Sequence, residues 1–80
     1  MSLPTPQQLH DLIAAGLDCT ALTVDGDGQH FFATIVSPQF SGLGRLARHR
    51  LVYAALGDRM RSEIHALSMR TLAPGEPGAS

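Results

Sequence analysis

The sequence predicts a small α+β domain with the element order α-β-β-α-α-β and one three-stranded sheet covered by helices on one face. Three observations predict it. An apolar stripe at helical spacing follows a Thr-Pro start, a glycine-rich turn separates two segments rich in β-branched residues, and the chain has 80 residues, enough for one domain. A sheet with helices on one face lets so short a chain bury the apolar sides of both kinds of element.

The first helix is predicted over residues 6–15. Thr5 can accept an N–H bond as the N-cap, Pro6 suits the first helical position, and Gln8 completes a capping box. The apolar residues at helical spacing are Leu9, Leu12, Ile13 and Ala14. Gly16 suits the position that ends the helix.

Two strands are predicted over residues 19–24 and 30–37, joined by the turn Asp25-Gly26-Asp27-Gly28. Glycine supplies the backbone conformations that a short turn needs, so the two strands should form an antiparallel hairpin. Pro38 ends the second strand because it lacks the N–H that a ladder requires.

The second half of the chain completes the order of elements. A second helix is predicted over about residues 44–56, a short helical turn over 58–63 and a third strand over 64–72. The domain is placed at residues 1–74. Residues 75–80 hold glycine and proline without an apolar run and are expected to form a disordered tail.

Composition argues against several classes of protein. The net charge of −1 argues against strong sequence-independent binding of nucleic acid. The one cysteine, Cys19, rules out a disulfide within the chain and a metal site made of several of its own thiolates. With no recognisable secretory leader and no apolar run of membrane-spanning length, the expected location is the cytoplasm, away from membranes.

The motifs do not support catalysis. The sequence has no nucleophile elbow, no phosphate loop of the Walker type and no paired histidines of a zinc protease. Asp25 and Asp27 are interpreted as turn residues, the usual role of aspartate beside glycine. Cys19 is interpreted as a small core residue, with a redox enzyme that uses Cys19 as the minor alternative. The prediction is a protein that is not an enzyme.

His65 stands between two apolar residues at the start of the third predicted strand. One interpretation is a half-buried structural histidine. The other is a neutral imidazole that binds a metal at a strand end. Because one histidine cannot hold a metal alone, this second interpretation needs another ligand, for which His30 is the first candidate, and a partner that completes the coordination.

The second helix carries a basic face, which consists of Arg45, Arg48, His49 and Arg50. Such a face is either a solubilising surface or a contact surface for nucleic acid or an acidic partner, since arginine forks suit phosphate. The only aromatic residue nearby is Tyr53, within the helix, so no platform for stacking bases stands beside it.

Four blocks of the sequence resemble the BolA-like family in order and spacing. They are Gly28-Gln29-His30-Phe31, Ile35-Val36-Ser37-Pro38-Gln39-Phe40-Ser41-Gly42, Arg48-His49-Arg50-Leu51-Val52-Tyr53 and Ile64-His65-Ala66-Leu67-Ser68. The resemblance runs from roughly Leu9 to Pro74, and the short turn is similar to that of the IbaG branch. It implies a mixed three-stranded sheet in an arrangement like that of a class II KH domain.

The resemblance implies, first, partnership with a monothiol glutaredoxin in a heterodimer that bridges a 2Fe-2S cluster, for iron–sulfur trafficking or for sensing of iron and redox stress. The glutaredoxin and glutathione would supply thiolates, and His65 one ligand from this chain; histidine in place of thiolate raises a cluster's potential. The second ligand would come from the loop between the first two strands. It is His30 or a residue of the turn 25–28, where an aspartate would be a hard ligand.

The second implied function is regulation of transcription in the stress response and in cell morphology, by DNA contact through the KH-like fold. The contacts would come from Arg45, Arg48, His49 and Arg50. A KH domain grips the nucleic-acid backbone with a Gly-x-x-Gly loop, for which Gly42-Leu43-Gly44 is a weak substitute. The expected partners are therefore a glutaredoxin first, then DNA or a second copy of the chain.

Overall fold

Two α-helices and a mixed three-stranded sheet make up the fold in the computed structural model, which describes residues 5–27, 30–57 and 66–77. The elements are α1 Pro6–Gly16, β1 Ala21–Gly26, β2 His30–Val36, a 3-10 helix Pro38–Phe40, α2 Arg45–Leu56 and β3 Ala66–Leu72. The sheet order is β1-β2-β3, with β1 antiparallel and β3 parallel to β2. This confirms the predicted α+β class. The predicted helical turn over 58–63 lies outside the described residues.

The start of α1 follows from its first residues. The N–H of Gln8 donates to Oγ1 of Thr5 at 3.2 Å, and the N–H of Thr5 donates to Oε1 of Gln8 at 3.0 Å. This reciprocal capping box satisfies two N–H groups that the helix itself cannot. Leu9 and Ile13, one helical turn apart, are fully buried, so the capped helix presents one apolar face to the sheet.

The hairpin is tighter than the sequence predicts. β1 begins at Ala21 rather than at residue 19, and its pairing continues through Gly26, which lies opposite Phe31. The N–H of Asp27 also donates to the carbonyl of His30 at 3.2 Å. Pairing of positions 27 and 30 leaves two residues for the connection, so the predicted four-residue turn was too long at its start.

The core lies between one face of the sheet and the two α-helices. Alternate residues of β2 point inward and are buried, as expected for a strand with one covered face. The core is formed by Leu9, Ile13, Leu17, Phe31, Ala33, Ile35, Phe40, Val52, Leu56 and Ala73. On the opposite face of β2 the side chain of Phe32 is 52% exposed.

The two described α-helices approach each other closely at Gly16. A Cβ atom placed there would lie 2.6 Å from Cβ of Ala55, well inside van der Waals contact. We expect Gly16→Ala to lower the free energy of unfolding by about 1–3 kcal/mol, because the helices must separate to admit a methyl group. Urea unfolding, monitored by circular dichroism, measures this change in the free energy of unfolding.

The matched control for this variant is Gly44→Ser. Gly44 is the N-cap of α2, and a Cβ there would meet no atom within 4 Å. We expect this control to change the stability by a few tenths of a kcal/mol, in the stabilising direction. Equal stability of Gly16→Ala and the wild type would contradict the proposed clash.

Arg48 connects α2 to the loop that precedes this helix, to β3 and to the segment that follows β3. Its Nε donates to the carbonyl of Leu43 at 2.8 Å, and its Nη1 donates to the carbonyl of Thr71 at 3.0 Å. Nη1 and Nη2 also donate to the two carboxylate oxygens of Glu76, at 2.7 and 2.9 Å. We call this set of contacts the Arg48 clamp.

The clamp includes a residue from the segment expected to be a disordered tail. The structure describes the chain as far as Pro77, and Glu76 is held both by Arg48 and by the N–H of Ala73, which donates to Oε1 at 2.6 Å. Glu76, which lies beyond the predicted 74/75 boundary, is thus hydrogen-bonded to α2 and to Ala73. Composition does not indicate these contacts, because Arg48 stands 28 positions earlier in the chain.

Candidate functional site

His30 lies at the start of β2, where the hairpin connection ends. Its N–H donates to Oδ1 of Asp27 at 2.8 Å, and its Nδ1 is 3.9 Å from Oδ2 of the same carboxylate. Its side chain is 75% exposed. The backbone of His30 is thus fixed by the hairpin while its imidazole faces solvent, which is the arrangement that a ligand for an external group requires.

Gly26 makes this tight hairpin end possible. A Cβ atom at this position would lie 2.6 Å from the carbonyl oxygen of His30 and 2.6 Å from the ring of Phe31. Only glycine lets the two strands approach so closely here without a shift of the backbone. Gly26 was predicted to belong to the turn, whereas in the fold it closes the strand pair beside His30.

The parallel register brings the start of β3 beside His30. The Cα partner of His30 is Ala66, the first residue of β3. His65, the first ligand predicted from the sequence, precedes Ala66 in the chain and lies outside the described residues. Its role as a ligand therefore stays a prediction.

A cavity of about 350 Å³ lies beside His30. Its lining combines the acidic residues Asp25 and Asp27 with the exposed ring of Phe32 and with Ser68 of β3. Within residues 5–27, 30–57 and 66–77, no group of three His, Cys, Asp or Glu side chains could hold a metal ion.

Cys19 is remote from this end of the sheet. It precedes β1 at the end of the sheet where Val36 lies, six positions along β2 from His30, or roughly 20 Å. Burial, and then the charge of Asp18, raise the pKa of its thiol. A thiol with a raised pKa is a weak nucleophile and a weak metal ligand at neutral pH, which agrees with its interpretation as a core residue.

The four residues of the predicted basic face have different environments. Arg45 and Arg50 are exposed, whereas the side chain of Arg48 is 12% exposed and is occupied by the clamp. His49 is half-buried and packs edge-on against Tyr53, with ring centroids 6.5 Å apart. Burial and the neighbouring Arg45 lower the pKa of His49. Of these four residues, Arg45 and Arg50 are therefore the two that are exposed to solvent.

A groove of about 300 Å³ runs between α2 and β3. It is lined by Arg45, Arg48, His49, Met69, Arg70 and Thr71. Arg70 was missed by the sequence analysis, which grouped basic residues by their nearness in the chain. No local signal in the sequence indicates this contribution, because it depends on how β3 packs beside α2.

None of the helices in the described part of the chain is long and apolar enough to cross a membrane.

The sequence is similar to known proteins of one family. A sequence model for the family described as “BolA-like protein” matches residues 8–76. The “DNA-binding transcriptional regulator BolA” of Vibrio cholerae is 48% identical over 46 residues, which are 58% of this chain and 43% of that protein. The chain spans less than half the length of the curated relatives that it matches first.

Solved structures share the fold over nearly the whole chain. A bolA protein homologue from Coxiella burnetii has a TM-score of 0.79 and 43% identity, covering 92% of this chain and 96% of that one. The BolA domain of SufE1 from Arabidopsis thaliana has a TM-score of 0.80 and 32% identity, covering 89% and 93%.

Proposed function

The chain belongs to the BolA-like family, and from that premise we propose that it is a partner of monothiol glutaredoxins that co-ligates a bridging 2Fe-2S cluster. The proposed role is iron–sulfur trafficking or the sensing of iron and redox stress. In this proposal the chain binds and orients, and it catalyses no reaction. His65 and His30 are the proposed ligands from this chain.

One observation carries the proposal: the register of the two parallel strands. His30 begins β2 and lies opposite Ala66, the residue that follows His65 in the sequence. Neighbouring strands lie about 4.8 Å apart, and consecutive Cα atoms about 3.8 Å apart. On this basis we propose that His30 shares the cluster with His65, the residue that precedes Ala66 in the sequence.

The chemistry of the donor set also supports the proposal. Imidazole nitrogen is an accepted ligand of iron in 2Fe-2S centres, where two histidines can replace two thiolates on one iron. Oδ2 of Asp27 lies 3.9 Å from Nδ1 of His30, which is longer than a hydrogen bond, so this contact does not fix the tautomer of the imidazole. When bound, the cluster would supply one-electron redox chemistry and a transferable iron–sulfur unit.

The test is co-expression with a monothiol glutaredoxin, followed by visible absorption and circular dichroism of the purified heterodimer. We expect the wild-type pair to be coloured, and His65→Ala and His30→Ala each to lose most of the visible cluster signal. The matched control is His10→Ala on α1, which should keep the cluster. A spectrum that survives both ligand substitutions unchanged would refute the ligand assignment.

A second candidate function is DNA binding, favoured by the exposure of Arg45 and Arg50 on α2 and by the similarity to the DNA-binding transcriptional regulator BolA of Vibrio cholerae. Arginine forks bind phosphate, and each phosphate contact steepens the dependence of affinity on salt.

Fluorescence anisotropy with duplex DNA over a range of salt concentrations tests this candidate. Arg45→Ala and Arg50→Ala should each weaken binding and reduce the salt slope by about 1. A slope identical to that of the wild type in both variants would exclude α2 as the DNA contact.

A further inference from the structure

The outer edge of β3 presents backbone groups to the groove beside α2. The carbonyl of Leu72 accepts a bond from the N–H of Ser37 at 3.0 Å, so the backbone groups of Leu72 face β2. The carbonyl of Thr71 faces the other way and accepts from Arg48. Because backbone direction alternates along a strand, the N–H and C=O of Met69 face the groove as well.

The groove is cationic. None of the described residues that line it is acidic. Arg45 and Arg70 bring two permanent charges, while the charge of Arg48 is balanced by Glu76. Arg45 also stands in the first turn of α2, at the positive end of the helix dipole. Within that first turn there is no acidic residue, and Gly44 offers no side-chain cap. Among the described residues, positive charge is therefore concentrated at this groove.

We propose that this groove binds an extended acidic peptide segment of a partner protein, which pairs as a fourth strand with the edge of β3 that faces away from β2. The N–H and C=O of Met69 and the N–H of Thr71 would make the main-chain hydrogen bonds. Arg45 and Arg70 would bind carboxylates on the peptide. Strand addition of this kind takes its affinity from the main chain and its specificity from the side chains around the edge.

The lining of the groove favours a peptide over nucleic acid. Single-stranded nucleic acid is held by aromatic side chains on which the bases stack, and the described residues that line the groove include no Phe, Tyr or Trp. An exposed edge instead offers donors and acceptors that alternate at the spacing of a peptide chain. The groove shares no residue with the proposed cluster site, so each proposal can fail without the other.

The probe is a seven-residue peptide of alternating Glu and Thr, acetylated and amidated, titrated into the 15N-labelled protein. We expect saturable shifts of the backbone amides of Met69 and Thr71. Arg45→Ala and Arg70→Ala should each weaken binding about three- to tenfold, as for a charge-assisted contact at a partly exposed site. The matched control is Arg50→Ala on the same helix, outside the groove, which should bind like the wild type.

A second measurement tests the strand pairing itself. Two peptides are compared, one N-methylated at its odd-numbered residues and the other at its even-numbered residues. Each modification removes the N–H groups along one edge of the extended peptide. Binding should be abolished for the peptide that loses the N–H groups facing β3 and should stay intact for the other. Four results would overturn the proposal: no saturable binding, equal weakening by Arg45→Ala and Arg50→Ala, unchanged binding of both methylated peptides, or tighter binding of a seven-nucleotide single strand at the same amides.

Discussion

Phe40→Ala is expected to lower the free energy of unfolding by about 3–5 kcal/mol, a large part of the stability of a domain of this size. Phe40 is the largest of the fully buried side chains, and it packs where the 3-10 helix meets the core. The guanidinium carbon of Arg48 lies 5.9 Å from the centroid of its ring. Removal of the ring leaves a cavity and takes away the surface on which the clamp rests.

Urea unfolding measures this loss, and Phe32→Ala is its matched control. Phe32 is 52% exposed on the uncovered face of the sheet, so its truncation should cost less than about 1 kcal/mol. Phe40→Leu, which keeps most of the volume, should fall between the two and provides a measurement if the alanine variant does not fold. Equal losses for Phe40→Leu and Phe32→Ala would show that Phe40 does not anchor the core.

Glu76→Gln is expected to destabilise the protein at neutral pH but not near pH 2. The hydrogen bonds from Arg48, and then that from the N–H of Ala73, lower the pKa of Glu76 from 4.5 to about 2. Because the folded protein binds this proton less readily than the unfolded chain, the stabilisation is fully present above about pH 4.5. It is lost as the pH falls from 4.5 to about 2.

Thermal unfolding of the wild type and of Glu76→Gln at pH 7, 4 and 2 checks this expectation, and the two melting temperatures should converge at the lowest pH. Arg48→Met should destabilise more, because it removes four hydrogen bonds and the ion pair together. The double variant should be about as stable as Arg48→Met alone, since Glu76 then has no arginine to bind. Simple addition of the two losses would argue against the clamp.

Local patterns in the sequence predicted the fold best where structure is decided locally. The capping box of Thr5 and Gln8 and the strand end before Pro38 are confirmed, because each depends on neighbours within a few residues. The start of β1 was placed two residues early because residues 19–24 are rich in β-branched types with strand propensity, whereas strand pairing begins at Ala21.

The site was predictable only in part, for the same physical reason. A histidine at the start of a strand was visible in the sequence, and His30 does begin β2. Its placement beside Ala66 requires the parallel pairing, which joins residues far apart in the chain. The role of Glu76 and the separate environments of Arg45 and Arg48 also depend on tertiary contacts. The run of basic residues in the sequence therefore did not distinguish the buried arginine of the clamp from the exposed arginines.

The parallel pairing of β2 and β3 has a consequence for the order in which the protein folds. Gly26 pairs with Phe31, five positions along the chain, whereas His30 pairs with Ala66, thirty-six positions away. Closing the longer loop costs more entropy before any contact repays it, so the hairpin should form early and β3 should dock late. The last strand to dock is then the first to open, and reversible loss of β3 would remove Ala66 from its place beside His30 while the hairpin stays intact.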